Sequence, residues 1–209
     1  MVITYYGLSC FKIQSGDTIL VFDLPAGRQA PRFHADIIIQ SSNYDVEKIP
    51  EDSFLIDSPG EYEVKGVYIR GLKSYHLNTV YVLRLENMNL CFLGNFGEKE
   101  MRPELKEGIG KIDILFTPIT GENVLDAEDA RNIINQLEPA IAIPAHYSKD
   151  PPAGEAGKKE DLPGRQAGVL KKFLGEMGQK DIKPVEKLSI KKKDIKENGT
   201  EVVVLEKQG

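Results

Sequence analysis

The chain has 209 residues, 41% hydrophobic and 28% charged, with a formal net charge of -5 and a pI near 5.4. That suffices for one well-buried domain, which we take to run over residues 1–209. The acidic balance argues against a nucleic-acid binder with a generally basic surface. No run approaches the roughly 20 apolar residues that a membrane span needs.

The opening, Met1-Val2-Ile3-Thr4-Tyr5-Tyr6-Gly7, has no basic stretch and reads as a first strand rather than a secretory leader, so a cytoplasmic protein is expected. Residues 2–6, 10–14 and 18–22 are three short strands, separated by Gly7 and by Ser15-Gly16-Asp17. A Pro- and Gly-containing loop leads into the apolar run Ile37-Ile38-Ile39, a buried strand. The polar turn Gln40-Ser41-Ser42-Asn43-Tyr44-Asp45-Val46 follows it directly, a usual place to mount chemistry on a rigid support. Residues 53–57 form the next strand, and Ser58-Pro59-Gly60-Glu61-Tyr62-Glu63 reads as a tight turn. Residues 66–70, 78–85 and 89–93 then read as a meander, with Glu86-Asn87-Met88 as its hairpin loop. The two cysteines, Cys10 and Cys91, sit in apolar runs and read as buried free thiols.

Beyond residue 100 the pattern changes to helix alternating with strand. A short helix over 101–109 precedes a strand over 112–116. Asp126 is an N-cap, with Asp129 three residues on. Ala130, Ile133, Ile134 and Leu137 then recur at helical spacing until Pro139 ends the helix. Residues 140–143 form a buried strand running into Pro144-Ala145-His146-Tyr147. Residues 149–164 read as a mobile surface loop, 166–177 as a helix, and 185–190 and 201–205 as late strands. A β-rich half followed by β/α alternation suits a sheet-on-sheet sandwich with helices outside.

Four strand ends carry polar residues: 40–46, Ser74-Tyr75-His76, Gly94-Asn95 and Pro144-Ala145-His146-Tyr147. On one edge of a sandwich they would form one cleft. Three further motifs accompany them in order: Gly7-Leu8-Ser9-Cys10-Phe11, Asp57-Ser58-Pro59-Gly60-Glu61-Tyr62 and Asn78-Thr79-Val80-Tyr81. Together with the late helix from Asp126, the set resembles the metallo-β-lactamase superfamily. Within it, the likeness is to small cytosolic hydrolases similar to ascorbate-6-phosphate lactonase. The resemblance implies an α/β (α+β) fold, a four-layer αββα sandwich. It also implies a site where two metal ions activate a shared water.

The family's ligands are His-x-His-x-Asp-His, a further His, a bridging Asp and a last His. Carried across, they fall on Ser41, Asn43, Asp45 and Val46, then His76, Asn95 and His146. The near-terminal His often found in this branch falls on Leu8. Neutral Ser and Asn oxygens are poor zinc ligands, and Val offers none. The expectation is therefore a ligand-binding cleft lined by Ser41, Asn43, Asp45, His76, Asn95 and His146 that needs no metal. It would bind a small molecule or a protein, not nucleic acid or membrane, with the oligomeric state left open. The alternative is a hydrolase of lactones or phosphoesters, with Asp45 and His146 catalytic and one Zn or Mn ion on Asp45, His76 and His146. Taken singly, His146 and His76 also read as ordinary hydrogen-bonded histidines. No phosphate-binding Gly-rich loop and no Gly-x-Ser-x-Gly elbow occurs.

Overall fold

A computed structural model describes residues 1–25, 34–42, 49–50, 52–75, 77–121, 123–147, 163–179, 182–196 and 198–208. Two mixed sheets make the body of the molecule. The first contains β1 (Val2–Gly7), β2 (Cys10–Ser15), β3 (Thr18–Phe22), β4 (Ile37–Ile39), β5 (Phe54–Ile56) and β12 (Leu188–Ser189). Its order is β12-β1-β2-β3-β4-β5, antiparallel as far as β3 and parallel from β3 to β5. The second contains β6 (Gly60–Val64), β7 (Val67–Lys73), β8 (Thr79–Leu85), β9 (Met88–Phe92), β10 (Ile114–Pro118), β11 (Ile141–Ala145) and β13 (Glu201–Val202). Its order is β13-β11-β10-β9-β8-β7-β6, parallel through β13, β11, β10 and β9 and antiparallel beyond.

Alternation along the strands builds the central core. Ile3, Tyr5, Phe11, Ile13, Leu20 and Phe22 face Ile69, Tyr81, Leu83, Leu90, Phe92 and Phe116 across the sandwich. Phe22 stacks on Phe92 with ring centroids 4.3 Å apart. A second cluster lies on the outer face of the second sheet. There Cys91, Leu115 and Ala142 meet residues of α1 (Pro103–Ile109), α2 (Ala127–Leu137) and α3 (Pro163–Glu176), including Leu105, Ile133 and Phe173. A smaller cluster of Cys10, Val21, Leu24, Ala35 and Ile38 covers the outer face of the first sheet. This is the sandwich architecture expected from the strand pattern.

Local chemistry explains most boundaries. Asp126 caps α2 by accepting from the amides of Glu128 and Asp129, both at 2.9 Å. Glu138 ends it in the left-handed conformation before Pro139. Glu86 and Asn87 both have positive φ, +48° and +61°, the two-residue turn whose twist matches a hairpin.

Three expectations need correction. Gly60-Glu61-Tyr62-Glu63 is not a turn but most of β6. Tyr62 and Val64 pack on the core, Glu61 and Glu63 face solvent, and Lys65-Gly66 zips the segment to β7. The late strands are shorter than read: β12 and β13 have two residues each, and the neighbouring segments meet through an isolated Val185–Leu205 bridge. Pro163 and Gly164 open α3 rather than close the preceding loop, Pro being well suited to a first helical turn. Residues 149–162 of that loop lie outside the described residues. Both cysteines are free and buried. Among the described residues, no helix is long and apolar enough to cross a membrane.

Candidate functional site

Backbone hydrogen bonds gather the polar strand ends along one edge of the sandwich. The Asp23 amide, just past β3, donates to Ile39 O at the end of β4, at 2.9 Å. The Thr79 amide, opening β8, donates across to Ser41 O at 2.7 Å. The His146 amide, just past β11, donates to Leu8 O in the β1–β2 turn at 2.7 Å. Each of the last two bonds stitches one sheet to the other. In the second sheet, Phe92, Phe116 and Ile143 are in register, so the ends of β9, β10 and β11 lie side by side.

Asp23 is the anchor of this edge. Its Oδ1 accepts the Ser41 amide at 2.7 Å and its Oδ2 the Ser41 hydroxyl at 2.8 Å. The Ser9 side chain also hydrogen bonds to it. Burial pushes its carboxyl up to about 6, outweighing those three bonds, which favour the ionised form. Asp23 has φ +43°, and a strained backbone of this kind is held in place only by its surroundings.

The next layer is amide chemistry. Asn78 is buried and spans the gap between β8 and β9. Its Nδ2 donates to Leu93 O at 3.0 Å and its Oδ1 accepts the Asn95 amide at 3.0 Å. Asn95 in turn donates Nδ2 to Ser42 Oγ at 2.9 Å. Between them, Gly94 has φ +60°, and a Cβ there would sit 2.2 Å from both Cβ and Oγ of Ser41. Only glycine lets the β9 end approach the Ser41 loop so closely.

His146 completes the edge. Its Nε2 is closed off from solvent and has no hydrogen-bond partner among the described residues. Desolvation pulls its pKa down to about 4, so the imidazole is neutral at physiological pH. Its φ is +62°, and the adjoining Leu8 is also left-handed at +50°. Tyr147 fastens the following residue. Its hydroxyl bonds to both the carbonyl and the amide of Leu205, and its ring stacks on Tyr5 at 5.0 Å.

A model of the Beta-lactamase superfamily domain matches residues 2–146. The chain belongs to the metallo-β-lactamase superfamily. A protein from Thermotoga maritima assigned to the Zn-dependent hydrolases of that superfamily is 26% identical, with a TM-score of 0.79 over 98% of this chain and 99% of that one. A UPF0173 protein of Pyrococcus furiosus is 28% identical over 130 residues, 62% of this chain and 58% of that protein. A UPF0173 metal-dependent hydrolase of Carboxydothermus hydrogenoformans is 40% identical over 72 residues, 33% of this chain and 31% of that one. The matches to these two relatives thus span less than two thirds of their lengths.

In a metallo-β-lactamase frame, three of the sequence-derived positions fall together on the described edge: Ser41, Asn95 and His146. Asn43, Asp45 and His76 lie outside the described residues. Among the described residues, no group of three His, Cys, Asp or Glu side chains is placed to hold a metal ion. Tested as donors, Ser41 Oγ gives its proton to Asp23 and Asn95 directs its amide at Ser42. Neither is a nitrogen, thiolate or carboxylate ligand of the kind zinc takes, so of the described positions only His146 fits one. The third histidine, His34, is exposed and sets Nε2 3.2 Å from Asp36 Oδ1. Asp23 was missed by sequence reasoning, and Asn78 was quoted in a motif but given no part in the site. Asp23 has the same signature that drew attention to Gln40 and its neighbours: a polar residue straight after an apolar strand.

Proposed function

We propose that this protein keeps the fold and the cleft of the metal-dependent hydrolases but not their dinuclear metal site, and uses the cleft to bind a small molecule or a protein. The observation that carries this reading is the Ser41–Asp23 pair. At a position where the family places a metal-binding imidazole, Ser41 is a short hydroxyl turned onto a buried carboxylate. Asn95, at the bridging-acid position, supports the same reading. It contributes no negative charge to offset two neighbouring divalent ions, and its amide is turned onto Ser42.

A second reading is favoured by one observation. His146 Nε2 has no hydrogen-bond partner among the described residues, and on a neutral ring that is the state in which an imidazole binds a metal. With Asp45 and His76 it would form a single-ion site for Zn or Mn. Such an ion would polarise a lactone or phosphoester and lower the pKa of a bound water.

Metal analysis of full-length protein purified without chelator separates the two. The expected result is under about 0.1 Zn or Mn per chain. A stoichiometric ion, located beside His146 by anomalous scattering at its edge, would overturn the first reading and establish the second.

A further inference from the structure

The turn between β7 and β8 is built differently from the polar strand ends beside it. Five large hydrophobic residues are exposed among the described residues, and two of them, Tyr75 (58% exposed) and Leu77 (78%), flank position 76 on this one turn. Exposed apolar side chains usually stand on tolerant loops, but this turn is braced. The Ser74 amide donates to Asn78 O at 3.0 Å and the Asn78 amide to Tyr75 O at 3.2 Å. Glu98 accepts from the Ser74 hydroxyl at 3.0 Å and the Tyr75 amide at 2.9 Å. Arg102 pairs with Glu98 at 2.9 Å and sets its guanidinium 4.4 Å from the Tyr75 ring centroid.

Leu77 sharpens the point. Its φ is +58°, a conformation that Gly or Asn adopts at little cost and a branched apolar residue does not. The turn therefore accepts both backbone strain and solvent-exposed leucine, a combination that marks function more often than architecture. It also joins the cleft directly. Asn78, its last residue, holds the Asn95 amide, and Thr79 holds Ser41 O.

We propose that Tyr75 and Leu77 form an apolar subsite at the cleft rim, selecting ligands that carry an uncharged aryl or alkyl group beside their polar end. A small molecule fits better than a protein. Two side chains make only a minor part of the roughly 800 Å² per partner that a stable protein interface buries. Arg102 fixes the ring beforehand, so little freedom is lost on stacking. The proposal rests on the reading that the cleft binds a ligand, but it does not depend on metal.

The test uses two uncharged, unreactive probes, N-methylacetamide and N-benzylacetamide, titrated into ¹⁵N-labelled full-length protein. The benzyl probe is expected to bind at least about fivefold more tightly, with the largest shifts at Tyr75, Leu77 and Asn95. The Tyr75→Ser/Leu77→Ser variant should bring the ratio below about two, while Tyr75→Phe preserves it. Equal affinities, shifts remote from the turn, or a ratio unchanged in the double variant would overturn the proposal. Concentration-dependent self-association abolished by the double variant would also overturn it, assigning the turn to a protein interface. A stoichiometric metal found alongside intact benzyl selectivity would reject the metal-free function and leave this subsite standing.

Discussion

Ser41 gives Asp23 two hydrogen bonds, one from its amide at 2.7 Å and one from its hydroxyl at 2.8 Å. The pair joins the ends of two parallel strands, β3 and β4, at the edge of the sandwich where the polar strand ends gather. Two residues 18 positions apart thus fix Ser41 just beyond β4, and Gly94 packs against Ser41 as well.

Asp23 should make stability fall with rising pH. Its folded value near 6 lies above the ordinary 3.8, so the fold favours the neutral acid. That advantage is present below about pH 4 and lost as pH rises through 6. Asp23→Asn keeps the shape and removes the charge. Between pH 4 and 7, the stability difference should move in the variant's favour by about 2–3 kcal/mol. Urea denaturation across that range checks it, and a difference independent of pH would contradict it.

His146 should act in the opposite direction. Its value falls from 6.5 to about 4 in the fold, so the folded state resists protonation. Stability from this group is complete above about pH 6.5 and is lost as pH falls toward 4. His146→Gln should gain on the wild type by about 2–3 kcal/mol over that fall. The His146 ring resonances should titrate with a midpoint below pH 5. Because the two slopes oppose each other, the wild-type profile should be flatter between pH 4 and 6.5 than that of either variant.

Gly94→Ala should be among the more damaging small substitutions, costing about 3 kcal/mol or more. Its methyl would meet Ser41 at 2.2 Å and Asn78 Oδ1 at 2.9 Å, on a backbone that disfavours any side chain. Ser41→Gly in the same chain should restore part of the loss, since it removes the nearest atoms. A double-mutant cycle measures this, and additive losses would show that the clash lies elsewhere.

Cys10 and Cys91 should be inert to Ellman's reagent until the protein unfolds. Both are no more than 1% exposed, and burial pushes both thiols well above their ordinary range; for Cys10 the Asp23 charge adds to the effect. Reaction of either thiol at the rate of free cysteine would show that its sheet opens locally.

What could be read in the chain divides along physical lines. The runs at Ile3, Leu20, Ile37, Leu90 and Ile143 are apolar enough that burial alone dictates strand, and all of them are strands. Asp126 announced α2 because capping is local. Gly60 to Val64 was misread because a Pro-Gly pair speaks for a turn, whereas the strand is stabilised by pairing with β7, a contact that sequence does not display. Ser41, Asn95 and His146 were singled out by the family resemblance. The Asp23–Ser41 bond and the burial of His146 Nε2 were not legible there, since both arise from tertiary approach. Position 94 held a hint: a glycine between an apolar strand and Asn95 signals that another backbone comes close.

The misread strand has a further consequence. β6 is the last strand of its sheet, and its outer rim would otherwise be a template for uncontrolled association. An antiparallel copy centred on Tyr62 would set Glu61 of each chain against Glu63 of the other, on the same exposed face. Like charges set opposite each other in this way disfavour the pairing, so the two glutamates act as gatekeepers of this edge.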